Sequence, residues 1–116
     1  MNAKKTIAAL AALAQETRLA IYRLLVETGP DGLSAGIVAE KIGVAPSSLS
    51  FHLAQLMHAG LITQRRVSRS LIYAADFAAM NGLMSYLTEN CCGGQACAPV
   101  CNPAKPATQR VRKKSA

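Results

Sequence analysis

The first 90 residues of this 116-residue chain contain no cysteine; Cys91, Cys92, Cys97 and Cys101 all fall in the last 26. A disulfide frame for the body is thereby excluded, and the thiols form a cluster of their own. No apolar run approaches the roughly 18 residues of a membrane span, so no membrane partner is expected. The stretch Thr6-Ile7-Ala8-Ala9-Leu10 soon reaches Gln15, Glu16 and Arg18, which leaves no long apolar core for a signal peptide. The expected compartment is the cytoplasm, where thiols stay reduced and clustered cysteines serve metal binding or redox sensing. Paired carboxylates, a Cys-x2-Cys motif and a clear His partner for the cysteines are also missing, so an enzyme is not expected. There is no internal repeat, and the length supports one modest core that a second copy of the chain would complete.

Acid is scarce as well: 6 acidic side chains stand against 13 basic ones, a net charge of +7. Residues 102–116 supply Lys105, Arg110, Arg112, Lys113 and Lys114 with no acid, which is +5 of that total and leaves +2 for the rest. Such a Pro- and Ala-containing basic end reads first as a solvated, disordered tail and only second as a non-specific phosphate binder. The body must be judged on pattern.

Ile7, Leu10, Ala11 and Ala14 recur at helical spacing, and after a break around Gln15-Glu16-Thr17 a second helix carries Leu19, Ile21, Leu24, Leu25 and Thr28. Gly29-Pro30-Asp31-Gly32 ends it in a turn. Ser34 is placed to cap a short helix with Ile37, Val38 and Ile42, which Gly43 stops. Pro46 fits the first turn of the next helix, since its missing N–H would be unpaired there. On that helix Leu49, Leu53, Leu56 and Met57 make one apolar face, while Ser47, Ser48, Phe51 and Gln55 point away. Two helices joined by a tight Gly-containing turn, the second small and polar outside, form a helix-turn-helix pattern. The β-prone runs Leu61–Val67 and Leu71–Ala74, separated by Ser68-Arg69-Ser70, then predict a hairpin, the wing. Asp76 could cap a last helix whose Phe77, Met80, Leu83, Met84 and Leu87 form a stripe suited to core or dimer contact. From Cys91 onward, Gly93, Gly94, Pro99, Pro103 and Pro106 break regular structure. Three regions follow: 1–90 for DNA binding and dimerisation, 91–101 for the cysteines, and 102–116 as the basic tail.

A recognition helix presents its N-terminal residues to base edges in the major groove, which here means Ser47, Ser48, Phe51 and Gln55. Ser hydroxyls reach bases or phosphates, and Phe51 can pack on a thymine methyl. Ser50 is a further candidate that can instead bond within its own helix. His52 lies near the buried face and reads more readily as a hydrogen-bonded structural histidine than as a base reader, and His58 reads as solvated. Arg65, Arg66 and Arg69 gather positive charge on the wing, where phosphate or minor-groove contact competes with plain solvation.

Leu49-Ser50-Phe51-His52-Leu53, Leu56, Ala59-Gly60-Leu61-Ile62 and Leu71-Ile72-Tyr73, with Leu13-Ala14-Gln15-Glu16-Thr17-Arg18-Leu19-Ala20-Ile21 upstream, resemble the ArsR/SmtB family of bacterial metal-responsive repressors over roughly residues 6 to 92. The resemblance implies a mainly α fold with a small β-hairpin, a homodimeric winged helix-turn-helix that occupies double-stranded operator DNA and leaves it when an inducer binds. Family members that sense arsenite on the first helix of the motif carry Cys-x-Cys where this chain has Ser34 and Gly36. Members that sense zinc on the last helix use Asp-x-His and a later His, whereas Asp76 is followed by Ala78 and no later His exists. A third branch places a vicinal Cys-Cys and one more Cys after the last helix, and Cys91-Cys92 with Cys97 is similar to that, with Cys101 as an extra candidate for the third ligand.

Trivalent arsenic and antimony are soft centres for which thiolate is the natural donor. Adjacent Cys91 and Cys92 bring two sulfurs together with little loop to close, and Gly93-Gly94-Gln95-Ala96 lets Cys97 fold back cheaply. That third branch senses arsenic, so the resemblance, together with this chemistry, implies arsenite as the inducer; methylarsenite, needing two thiolates, fits Cys91 and Cys92 alone, antimonite offers the same chemistry, and no resident cofactor is required. Competing uses of the cysteines are a four-thiolate zinc site, a thiol redox switch and an inert tail, and the rival for the whole chain is an arsenical- or metal-buffering protein.

Overall fold

A computed structural model describes residues 1–94. Cys97, Cys101 and the basic tail 102–116 lie outside the described residues. The elements run α1 (Ala3–Leu13), α2 (Glu16–Thr28), β1 (Leu33–Ser34), α3 (Ala35–Ile42), α4 (Pro46–His58), β2 (Ile62–Val67), β3 (Ser70–Ala75) and α5 (Phe77–Leu87), followed by a 3-10 turn at Cys91–Gly94.

Local chemistry sets most of these boundaries. The Gln15 side-chain oxygen accepts from the Arg18 amide at 2.8 Å and so opens α2, while the Arg18 Nε donates to the Ala12 carbonyl at 2.6 Å and closes α1. The break thus falls at Ala14-Gln15, and Glu16 and Thr17 already belong to α2. Ser34 caps α3 as its sequence position suggests, its Oγ accepting from the Ile37 amide at 3.4 Å. Gly43 ends α3 at φ 83°, a left-handed conformation that side chains with a Cβ resist. Pro46 occupies the start of α4, and Asp76 Oδ1 accepts from the Ala79 amide at 3.0 Å at the start of α5.

Residues 1–83 form one compact unit. Its centre is built by Ile21 and Leu25 of α2, Val38 of α3, Leu49 and Leu56 of α4, and Leu61, all essentially without solvent exposure. The sheet is three-stranded and antiparallel, in the order β1-β3-β2. The hairpin pairs Ile62 with Ala75 through to Val67 with Ser70, and turns at Ser68 with φ 56°. Strand β1 was not expected from the sequence: two residues have no visible alternation, and they become a strand only because Leu33 and Ser34 meet Tyr73 and Ile72 of β3.

The expected inner face of α1 needs correction. Thr6, Ala9 and Ala12 are the buried residues, whereas Ile7 and Leu10 are 66% and 43% exposed. Small side chains let α1 approach α2 and α4 closely, which turns the larger apolar ones outward. On α5, Leu83 is buried and Phe77 and Met80 are half-buried. Residues 84–94, taken on their own, hold the end of α5, where Met84 and Leu87 are exposed, and the turn that carries Cys91 and Cys92.

Candidate nucleic-acid interface and thiol pair

Helix α4 buries Leu49, Leu53 and Leu56 and thereby fixes which residues face out: Ser47, Ser48, Ser50, Phe51 and Gln55 are all exposed. Phe51 is 60% exposed, a large aromatic surface on an otherwise small and polar face. The capping position is Ala45, which has no side-chain acceptor, so α4 begins without a side-chain cap among the described residues. The helix holds no Lys, Arg, Asp or Glu. Its outer face suits base edges, and the positive charge beside it comes from Lys41 in the last turn of α3 and from the wing.

His52 is half-buried, and its ring meets that of Phe51 edge-on at 5.8 Å and 65°. Its Nδ1 is buried without a hydrogen-bond partner among the described residues, so there the structural histidine expected at this position lacks the bond that was expected to hold it. His58 is exposed, as expected.

The three wing arginines differ. Arg66 and Arg69 are exposed and make no hydrogen bond or ion pair among the described residues. Arg65 is exposed yet engaged: its two terminal nitrogens donate to the carbonyls of Pro30 at 3.3 Å and Asp31 at 2.7 Å. Gln64 Nε2 donates to the Tyr73 hydroxyl at 3.4 Å across the hairpin. No sequence signal marks these ties, because Arg65 and its acceptors are separated by more than thirty positions.

Tyr22 also escaped sequence reasoning. It is buried with its hydroxyl unpartnered among the described residues; burial pushes its pKa above the ordinary value, and the negative charge of Asp76 adds to the rise. Asp76 itself serves as a helix cap.

Cys91 is half-buried and Cys92 exposed, and their Sγ atoms stand 3.7 Å apart. The backbone that brings them together is local: the Cys91 amide donates to Thr88 O at 2.9 Å and the Gly93 amide to Asn90 O at 3.0 Å, with Asn90 and Cys92 at φ 57° and 58°. Among the described residues no group of three or more His, Cys, Asp or Glu side chains is placed to hold a metal ion. The third-ligand candidates Cys97 and Cys101 lie outside the described residues. Among the described residues no helix is long and apolar enough to cross a membrane.

Residues 13–65 match the model of a helix-turn-helix domain family. The HTH-type transcriptional regulator YgaV of Escherichia coli (strain K12) is 31% identical over 91 residues, which is 78% of this chain and 90% of that protein. Among solved structures, an ArsR-like transcriptional regulator from Rhodococcus sp. RHA1 superposes with a TM-score of 0.63 at 31% identity, covering 72% of this chain and 76% of that one. A possible transcriptional regulator for arsenical resistance superposes with a TM-score of 0.59 at 26% identity, covering 68% and 79%. With the helix-turn-helix of α3 and α4 and the wing of β2 and β3 in place, the chain belongs to the ArsR-like family of helix-turn-helix transcriptional regulators.

Proposed function

We propose that this chain is a homodimeric repressor, acting in the cytoplasm and not as an enzyme, that leaves its operator when trivalent arsenic is captured by the thiolates of Cys91 and Cys92 and a third cysteine, Cys97 or Cys101. The observation that carries the reading is the vicinal pair with its sulfurs 3.7 Å apart, close enough to bind one soft centre together. The similarity to a structure named for arsenical resistance supports the same inducer class. Dimerisation is supported by apolar side chains that the protomer leaves in water: Ile7 and Leu10 on α1, Met84 and Leu87 on α5. Bases are read by Ser47, Ser48, Phe51 and Gln55, with Ser50 and His52 on the same helix, and phosphates are met by the wing. Release requires only that arsenic and DNA prefer different dimer geometries, the coupling being reciprocal.

The test uses a duplex selected from a random library by the wild-type protein, titrated with arsenite under reducing conditions. Cys91→Ser and Cys92→Ser are expected to keep DNA affinity and lose the arsenite response. Comparing Cys97→Ser with Cys101→Ser then identifies the third ligand as the one whose loss weakens the response. Retained release in both Cys91→Ser and Cys92→Ser rejects the site. Release by peroxide with none by arsenite replaces the arsenic reading with a thiol redox switch, for which two adjacent sulfurs are equally suited.

A further inference from the structure

We infer that Arg65 is a positioning residue that brackets the wing onto the α2–β1 turn, and that the phosphate contacts of the wing fall to Arg66 and Arg69. This rests on the reading that the wing touches DNA. In the sheet, Arg65 of β2 stands opposite Ile72 of β3, which stands opposite Ser34 of β1. Its guanidinium therefore reaches across the central strand to the turn that leads into β1, where the two terminal nitrogens are taken by the Pro30 and Asp31 carbonyls. Those are the nitrogens a bidentate phosphate contact would use. The turn is pressed onto the same strand from its own side. Gly32 sits at φ +73°, and a Cβ added there would collide with the Tyr73 carbonyl oxygen and crowd Ile72 Cγ2. Arg65 and Gly32 thus secure one junction, the first by hydrogen bonds and the second by close approach. Arg66, next along the strand and pointing to the other face of the sheet, is free of such ties among the described residues.

The bracket needs a fork. A lysine ammonium at this position keeps the charge but cannot span two carbonyls in fixed geometry. Phosphate attraction, by contrast, is largely preserved by lysine. The experiment measures affinity of the full chain for the selected duplex across a salt series, in wild type, Arg65→Lys, Arg65→Gln, Arg66→Gln and Arg69→Gln. A wing without its bracket must be ordered on binding, so both Arg65 variants are expected to weaken by about tenfold. Their log–log salt slopes should stay within about 0.3 of wild type, while Arg66→Gln lowers the slope by roughly 0.9. Amide hydrogen exchange of the free protein gives an independent readout: exchange at Leu33 and Tyr73 should quicken in both Arg65 variants, with the melting temperature held within a few degrees. Wild-type affinity in Arg65→Lys, a slope lowered by roughly 0.9 in Arg65→Gln, or unchanged exchange at Leu33 and Tyr73 overturns the inference. A wild-type slope in both Arg66→Gln and Arg69→Gln instead removes the premise that the wing meets phosphate.

Discussion

Helices α1 and α4 both carry apolar residues at helical spacing, yet they use them in opposite ways. In α4 the large aliphatic side chains Leu49, Leu53 and Leu56 go inward, and the face turned out is small and polar apart from Phe51. In α1 the alanines and Thr6 go inward, and Ile7 and Leu10 face out. Periodicity locates a stripe but does not say what the stripe packs against. For α4 the partner is the protomer's own core; for the large residues of α1 it is a second chain, on the reading proposed above.

Three substitutions put that contrast at risk. Leu56→Ala removes a fully buried side chain and is expected to cost about 2–5 kcal/mol in denaturant unfolding compared with wild type at the same protein concentration. Ala9→Leu, which pushes bulk into the 1%-exposed contact of α1, should cost about 1–3 kcal/mol in the same measurement. A cost below the scatter of surface mutants would mean that α1 is not closely packed. Leu10→Asp should change protomer stability by no more than about 0.5 kcal/mol, since the side chain is exposed. The same variant should sediment as a monomer at concentrations where wild type is a dimer, and a wild-type dimer would assign the outer face of α1 to something other than self-association.

Much of the reading head was legible because its signals are local. Ser34, Gly43, Pro46 and Asp76 act within three or four residues of where they stand, and the three α4 leucines repeat at the helical period. The features that were not legible depend on chain segments far apart. Strand β1 exists through its pairing with Tyr73 and Ile72, the bonds of Arg65 reach back 34 and 35 positions, and the inward turn of Ala9 follows from how closely α1 lies on its neighbours. His52 shows the remaining limit: its place near the buried face was readable, but that its buried Nδ1 finds no hydrogen-bond partner among the described residues was not.

The adjacent cysteines follow α5 in a reversal held by two short-range amide bonds, from Cys91 to Thr88 and from Gly93 to Asn90. Each of these bonds closes within three residues of chain. With their sulfurs 3.7 Å apart on this reversal, Cys91 and Cys92 meet the same reagent, so a dithiol-selective probe is expected to label both together.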